Sequence, residues 1–167
     1  METVDTSERG IGTFTCTSGV LRVTDPCYSK GTWCAGTVPD CREGEWLATV
    51  RLMDCGSWGK RISRLTVVHE DGGTGADESV DFEVGVDSGQ AGVFDESRYP
   101  NDPNVATSFY DKVCKLTLSK AKAGVVKFGA VSSSGVGDGS YEATVRRDRN
   151  GKCFYISIEF LSDDDAW

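Results

Sequence analysis

The sequence predicts an all-β protein, mainly an antiparallel sandwich or barrel, with one short helix near residues 103–116. Three observations carry this. Apolar and polar residues alternate along many short segments, as they do in strands with one buried face. Gly, Asp and Ser separate these segments at similar intervals, the spacing of an antiparallel β architecture. Only one stretch has a helical period.

The elements follow in order. Thr13-Phe14-Thr15-Cys16 alternates and meets a turn at Ser18-Gly19, and residues 20–24 form a second strand. Residues 46–52 and 64–69 are the next two, the latter rich in β-branched side chains that suit a pleated surface. Residues 80–86 place Val80, Phe82, Val84 and Val86 on one face and acids on the other, so they read as one strand. Residues 91–94 make a short strand beyond a turn at 87–90, and residues 124–131 read as one continuous strand. Residues 141–147 and 153–160 flank Asp148-Arg149-Asn150-Gly151-Lys152, in which Asn-Gly is a strong hairpin signal. The helix rests on Val105, Phe109, Val113 and Leu116, with breakers at Pro100 and Pro103 before it. No linker or long repeat divides the chain, so residues 1–167 are expected to form a single domain with frayed tails at 1–10 and 162–167.

Charge and cysteine content bound the function. Lys and Arg number 18 against 26 Asp and Glu, a net charge of −8. That argues against duplex DNA as a partner, since such affinity comes mainly from cationic contacts with phosphate. No apolar run is long enough for a transmembrane helix, and the acidic N-terminal residues are not a signal peptide; the expected location is cytoplasmic, away from membranes. Seven cysteines, an odd number without a Cys-x-x-Cys pair, are expected to be reduced thiols rather than a zinc or redox centre. His69 is the single histidine, so a Cys/His catalytic pair requires the fold to bring a cysteine to it. No serine lies in a Gly-x-Ser-x-Gly elbow.

Three strings are more particular than a generic β protein needs. In the first, Pro26 forces Asp25 into an extended conformation just past a strand, and Tyr28 follows. This places Asp25 either in a turn or at a pocket rim. The second, residues 86–95, holds Asp87, Ser88, Gln90 and Asp95 around two glycines; it reads either as a self-bonded hairpin or as polar groups facing a ligand's hydroxyls and amines. The third, residues 131–141, holds Ser133, Ser134, Gly137, Asp138 and Tyr141, and its backbone amides are able to form an anion-binding nest. The second and third are expected to share one pocket. Residues 70–111 carry 11 acids and one base, whereas residues 112–152 carry 3 acids and 9 bases. The third string thus lies in a basic half of an acidic chain, suited to phosphate. Trp33, in a Gly-flanked loop, is a candidate aromatic platform beside these loops.

The strings Asp25-Pro26-Cys27-Tyr28, Val86-Asp87-Ser88-Gly89-Gln90-Ala91-Gly92 and Gly135-Val136-Gly137-Asp138-Gly139-Ser140-Tyr141 resemble a family of bacterial and phage proteins built around a domain of unknown function. The resemblance spans roughly residues 19–160 and implies an intracellular accessory or viral protein. It implies no reaction and carries no catalytic residue over.

The expected function is therefore a non-enzymatic binding protein for a small polar or nucleotide-like ligand, with no cofactor. The phage resemblance makes counter-defence, by sequestering a host nucleotide signal, the purpose such binding would serve. Two alternatives belong to other classes. One is an acidic inhibitor that binds a host protein. The other is a metal-dependent hydrolase using Asp25, Asp87, Asp95 and Asp138, whose metal the sequence leaves open.

Overall fold

Alternation in the longer strands builds a sheet with one apolar face. In the computed structural model, which describes residues 6–103 and 108–162, strands β1 (Thr6–Cys16), β4 (Gly44–Asp54) and β5 (Lys60–His69) form one wing of a seven-stranded antiparallel sheet. Strand β12 (Cys153–Glu159) pairs with β5, and β11 (Gly139–Arg147) pairs with β12. The short strands β6 (Asp77–Ser79) and β7 (Val84–Val86) both pair with β11. The second sheet has five strands in the order β3 (Gly36–Val38), β2 (Leu21–Thr24), β8 (Gln90–Asp95), β10 (Gly129–Ser133) and β9 (Ala123–Val126). The two sheets pack face to face as a sandwich and do not close into a barrel.

Alternation also explains a third layer. In β8, Val93 points into the core between the sheets and Phe94 points to the opposite face. Ala130 and Val131 divide in the same way, as do Val125 and Val126. The outward set would leave an apolar surface exposed. Helix α1 (Phe109–Thr117) covers it with Phe109 and Val113, and Tyr99 packs beside them. Because both of its faces are covered, β8 is buried along its whole length. Two glycines make room for Phe94. A Cβ on Gly129 would lie 2.4 Å from the Phe94 ring, and one on Gly92 would lie 2.7 Å from it.

Several local expectations change. Residues 80–83 leave the predicted strand 80–86, so that only Val84–Val86 pairs. The Phe82 ring lies against Gly36, where a Cβ would come within 2.4 Å of it, and the chain bends to put it there. Residues 124–131 form two strands, because a tight turn at Lys127 and Phe128 folds β10 back onto β9. Residues 6–10, expected in a frayed tail, extend β1 along β4 from Thr6 opposite Met53. The helix begins at Phe109; Val105 and the rest of 104–107 lie outside the described residues, as do 1–5 and 163–167 of the predicted tails. The Asn-Gly hairpin forms as expected: Asp148 Oδ1 accepts from the Asn150 and Lys152 amides, and Gly151 takes a φ of 78°. Among the described residues no helix is long and apolar enough to cross a membrane.

Candidate functional site

The three particular strings converge. Asp25 is fully buried, and its carboxylate ties the end of β2 to the β7–β8 turn. Oδ2 accepts from the Asp87 and Ser88 amides at 2.8 and 2.7 Å. Oδ1 accepts from the Ser88 hydroxyl at 2.6 Å and the Cys27 amide at 2.8 Å. The carboxylate thus caps its own turn through the Cys27 amide and also reaches across the sheet edge to the β7–β8 turn. The third string closes on the second from the other side. The Gly89 amide donates to Asp138 Oδ1 at 2.9 Å, and the Ser134 amide donates to the Gly89 carbonyl at 3.1 Å. Ser134 Oγ and the Tyr141 hydroxyl both donate to the Gly137 carbonyl, at 2.8 and 2.6 Å. Ser133 Oγ turns away and donates to the Thr117 carbonyl at the end of α1.

These loops therefore meet, with Asp25, Ser88, Ser134, Gly137, Asp138 and Tyr141 in one continuous network. The Asp25 oxygens are engaged by donors of the chain itself. Asp87 contributes its amide and keeps an exposed side chain.

Other candidates lie elsewhere. Asp95 sits at the far end of β8, roughly 17 Å along the strand from Gln90 at about 3.4 Å per residue. Its carboxylate accepts from the Thr17 amide and hydroxyl, both at 2.8 Å, from the Ser18 hydroxyl at 2.6 Å, and from the Ser97 amide and hydroxyl. Burial would raise its pKa, but these donors outweigh burial and hold it at about 2. Gln90 points at the helix, where Oε1 accepts from Thr117 Oγ1 at 2.9 Å and Nε2 donates to the Cys114 sulfur at 3.5 Å. The Tyr28 carbonyl accepts from the Tyr99 hydroxyl at 2.6 Å, and burial followed by the Cys34 thiol pushes the Tyr28 phenol above its ordinary pKa. Trp33 is 84% exposed in the connection between β2 and β3.

The groups capable of nucleophilic or metal chemistry are engaged or scattered. His69 Nε2 lies 2.9 Å from the Glu43 carbonyl, and Nδ1 accepts from the Asp71 amide at 3.2 Å. This arrangement makes Nε2 the donor and leaves neither nitrogen open to act as a base. Burial, followed by a hydrogen bond with Asp25, pushes the Cys27 thiol up to about 12, so it stays protonated at neutral pH. Among the described residues no three His, Cys, Asp or Glu side chains converge to hold a metal ion.

A different place combines open charge with an apolar floor. A cleft of about 260 Å³ lies between α1 and the β9–β10 hairpin, floored by Phe109, Val126 and Phe128 and rimmed by Arg98, Lys112 and Lys127. The Phe109 and Phe128 rings stack at 5.7 Å and 23°, and the Arg98 guanidinium lies 5.5 Å from the Phe128 centroid. No acid lines the cleft, and none of the three cations has an ion-pair partner among the described residues. Sequence reading recognised the basic half of the chain but missed Arg98, the lone base of the acidic half. The turn at Lys127 and Phe128 was also hidden inside an apparent strand.

No family model, curated protein or solved structure matches the chain.

Proposed function

We propose that the protein is a non-enzymatic binding module for a small anionic molecule with a planar ring, a nucleotide-like ligand, seated in the cleft between α1 and the β9–β10 hairpin. The observation that carries this reading is the cleft's composition: an aromatic floor under three cations with no acid among them. Some bases in this chain of net charge −8 meet acids, as Arg22 and Lys30 meet Glu96. Arg98, Lys112 and Lys127 repel one another instead, and an anion between them relieves that repulsion. A phosphate suits the rim, because the Arg98 guanidinium presents a planar fork and the lysines add point charges. A ring suits the floor, because base–aromatic contact tolerates many bases. The cleft is open and small, which suits a ligand held at the surface rather than enclosed. The engaged state of His69 and the protonated Cys27 support binding rather than turnover. Sequestration of a nucleotide signal is the role the phage resemblance would give such a module.

Titration calorimetry with nucleoside monophosphates and with inorganic phosphate tests the reading. Saturable binding of the nucleotide is expected, weaker binding of phosphate alone, and a loss of ten- to a hundredfold in Arg98→Ala, in line with about 1.5–3 kcal/mol for a charge-assisted hydrogen bond. No binding by the wild type, or equal binding by Arg98→Ala, Lys112→Ala and Lys127→Ala, overturns it.

One observation favours a second reading. A groove of about 490 Å³ beside β11 is lined by Asp81, Glu83 and Glu142 together with Phe82 and Tyr141. It fits a basic segment of a protein partner, as the inhibitor alternative requires. A stable complex with a basic protein that survives Arg98→Ala but not Glu83→Lys would favour it.

A further inference from the structure

We propose that Cys41 and Cys153 are a peroxide-responsive pair that closes into a disulfide in the folded protein. None of the seven cysteines is in a disulfide in this structure. These two, however, face each other across an isolated parallel bridge that joins the segment after β3 to the start of β12. The bridge is complete: the Cys153 amide donates to the Asp40 carbonyl at 2.8 Å, and the Arg42 amide donates to the Cys153 carbonyl at 3.0 Å. Neighbouring strands lie about 4.8 Å apart, inside the range of roughly 4.4–6.8 Å that a disulfide spans between Cα atoms. Residues paired in this way carry their side chains on the same side of the bridge, so the two thiols are neighbours. Each also lies near a carbonyl, with Cys41 Sγ 3.2 Å from Val38 O and Cys153 Sγ 3.4 Å from Tyr155 O.

The neighbouring Cys41 thiol and the nearby Arg147 charge favour negative charge on Cys153, against its burial. Both sulfurs are buried, but Cys41 lines an open cavity of about 630 Å³, the side from which a hydroperoxide, little larger than water, would approach. One sulfur of the pair attacks one peroxide oxygen, the O–O bond breaks, and hydroxide leaves to take up the displaced proton as water. That sulfur is then a sulfenic acid. The other sulfur attacks it, the S–S bond forms, and the sulfenic oxygen leaves as a second water. Two thiols and one hydrogen peroxide become one disulfide and two waters, with both sulfurs oxidised and the peroxide reduced.

The remaining cysteines serve as internal comparators. Cys16 is buried close to Cys41, and burial pushes its thiol up to about 11. Cys27 and Cys114 are more exposed and lie outside that bridge.

The test treats the native full-length protein with hydrogen peroxide, blocks remaining thiols under denaturing conditions, and maps peptides without reduction. The expected product is a single Cys41–Cys153 cross-link, five blockable thiols in place of seven, and unchanged far-UV circular dichroism. Reduction restores seven. The cross-link disappears in Cys41→Ser and in Cys153→Ser, and the melting temperature of the oxidised wild type rises above that of the reduced form. A peptide map in which Cys27 or Cys114 oxidises while Cys41 and Cys153 remain thiols overturns the proposal. So does a cross-link to Cys16, or one that forms only after urea unfolding. If Cys153→Ser fails to fold, the wild-type peptide map alone decides.

Discussion

Replacing Asp95 by Asn tests how the two sheets are held at their Thr17–Asp95–Ser97 corner. The carboxylate accepts five hydrogen bonds, from the amides and hydroxyls of Thr17 and Ser97 and from the Ser18 hydroxyl. An amide of the same shape keeps one oxygen acceptor and turns an NH₂ toward groups that were donating. The magnitude follows from the pKa. Its fall from 3.8 to about 2 corresponds to roughly 2 kcal/mol of stability at neutral pH, at about 1.36 kcal/mol for each pH unit. Because the folded value lies below the unfolded one, this contribution is fully present above about pH 5 and is lost as pH falls through about 2. Urea denaturation at pH 7 should therefore show Asp95→Asn less stable than wild type by at least about 2 kcal/mol. At pH 2 the gap should narrow by about 2 kcal/mol, because the wild-type carboxyl is then half protonated. A variant as stable as wild type at pH 7, or a gap that does not change with pH, would refute the assignment of this carboxylate as a charged fastener.

Two further predictions address the core and the loops. Gly92→Ala places a Cβ 2.4 Å from the Ala130 carbonyl oxygen and 2.7 Å from the Phe94 ring, between two central strands, so a loss of about 2 kcal/mol or more is expected in the same denaturation assay; a neutral result would mean that β8 and β10 are not packed this tightly. Asp138→Ala removes one exposed hydrogen bond to the Gly89 amide, which water is able to replace, so stability should fall by less than about 1 kcal/mol and nucleotide titration at the α1 cleft should be unchanged. A clear loss of binding in Asp138→Ala would move the site from the cleft to the loops.

Local pattern and chain reversal were legible in the sequence because each depends on neighbours a few residues apart. Alternation located most of the strands, Asn150-Gly151 marked its hairpin, and the 3.6 period of Phe109, Val113 and Leu116 marked the helix. The 86–95 and 131–141 segments were expected to share one pocket, and hydrogen bonds from Gly89 to Asp138 and from Ser134 to Gly89 bring the two segments together. What could not be read locally was which partner each polar group would find. Asp25 looks the same in sequence whether it faces a ligand or the amides of Asp87 and Ser88, which stand 62 and 63 residues away. The same holds for Asp95 with Thr17, for Gln90 with Thr117, and for Cys41 with Cys153. The cleft is a tertiary product in the same sense. Arg98, Lys112 and Lys127 come from three separate segments, and only the packing of α1 over the outward face of β8–β10 sets their charges around one aromatic floor. Strand periodicity is a property of the backbone. Charge convergence is a property of topology, because desolvation and Coulomb energy depend on distances that sequence spacing does not specify.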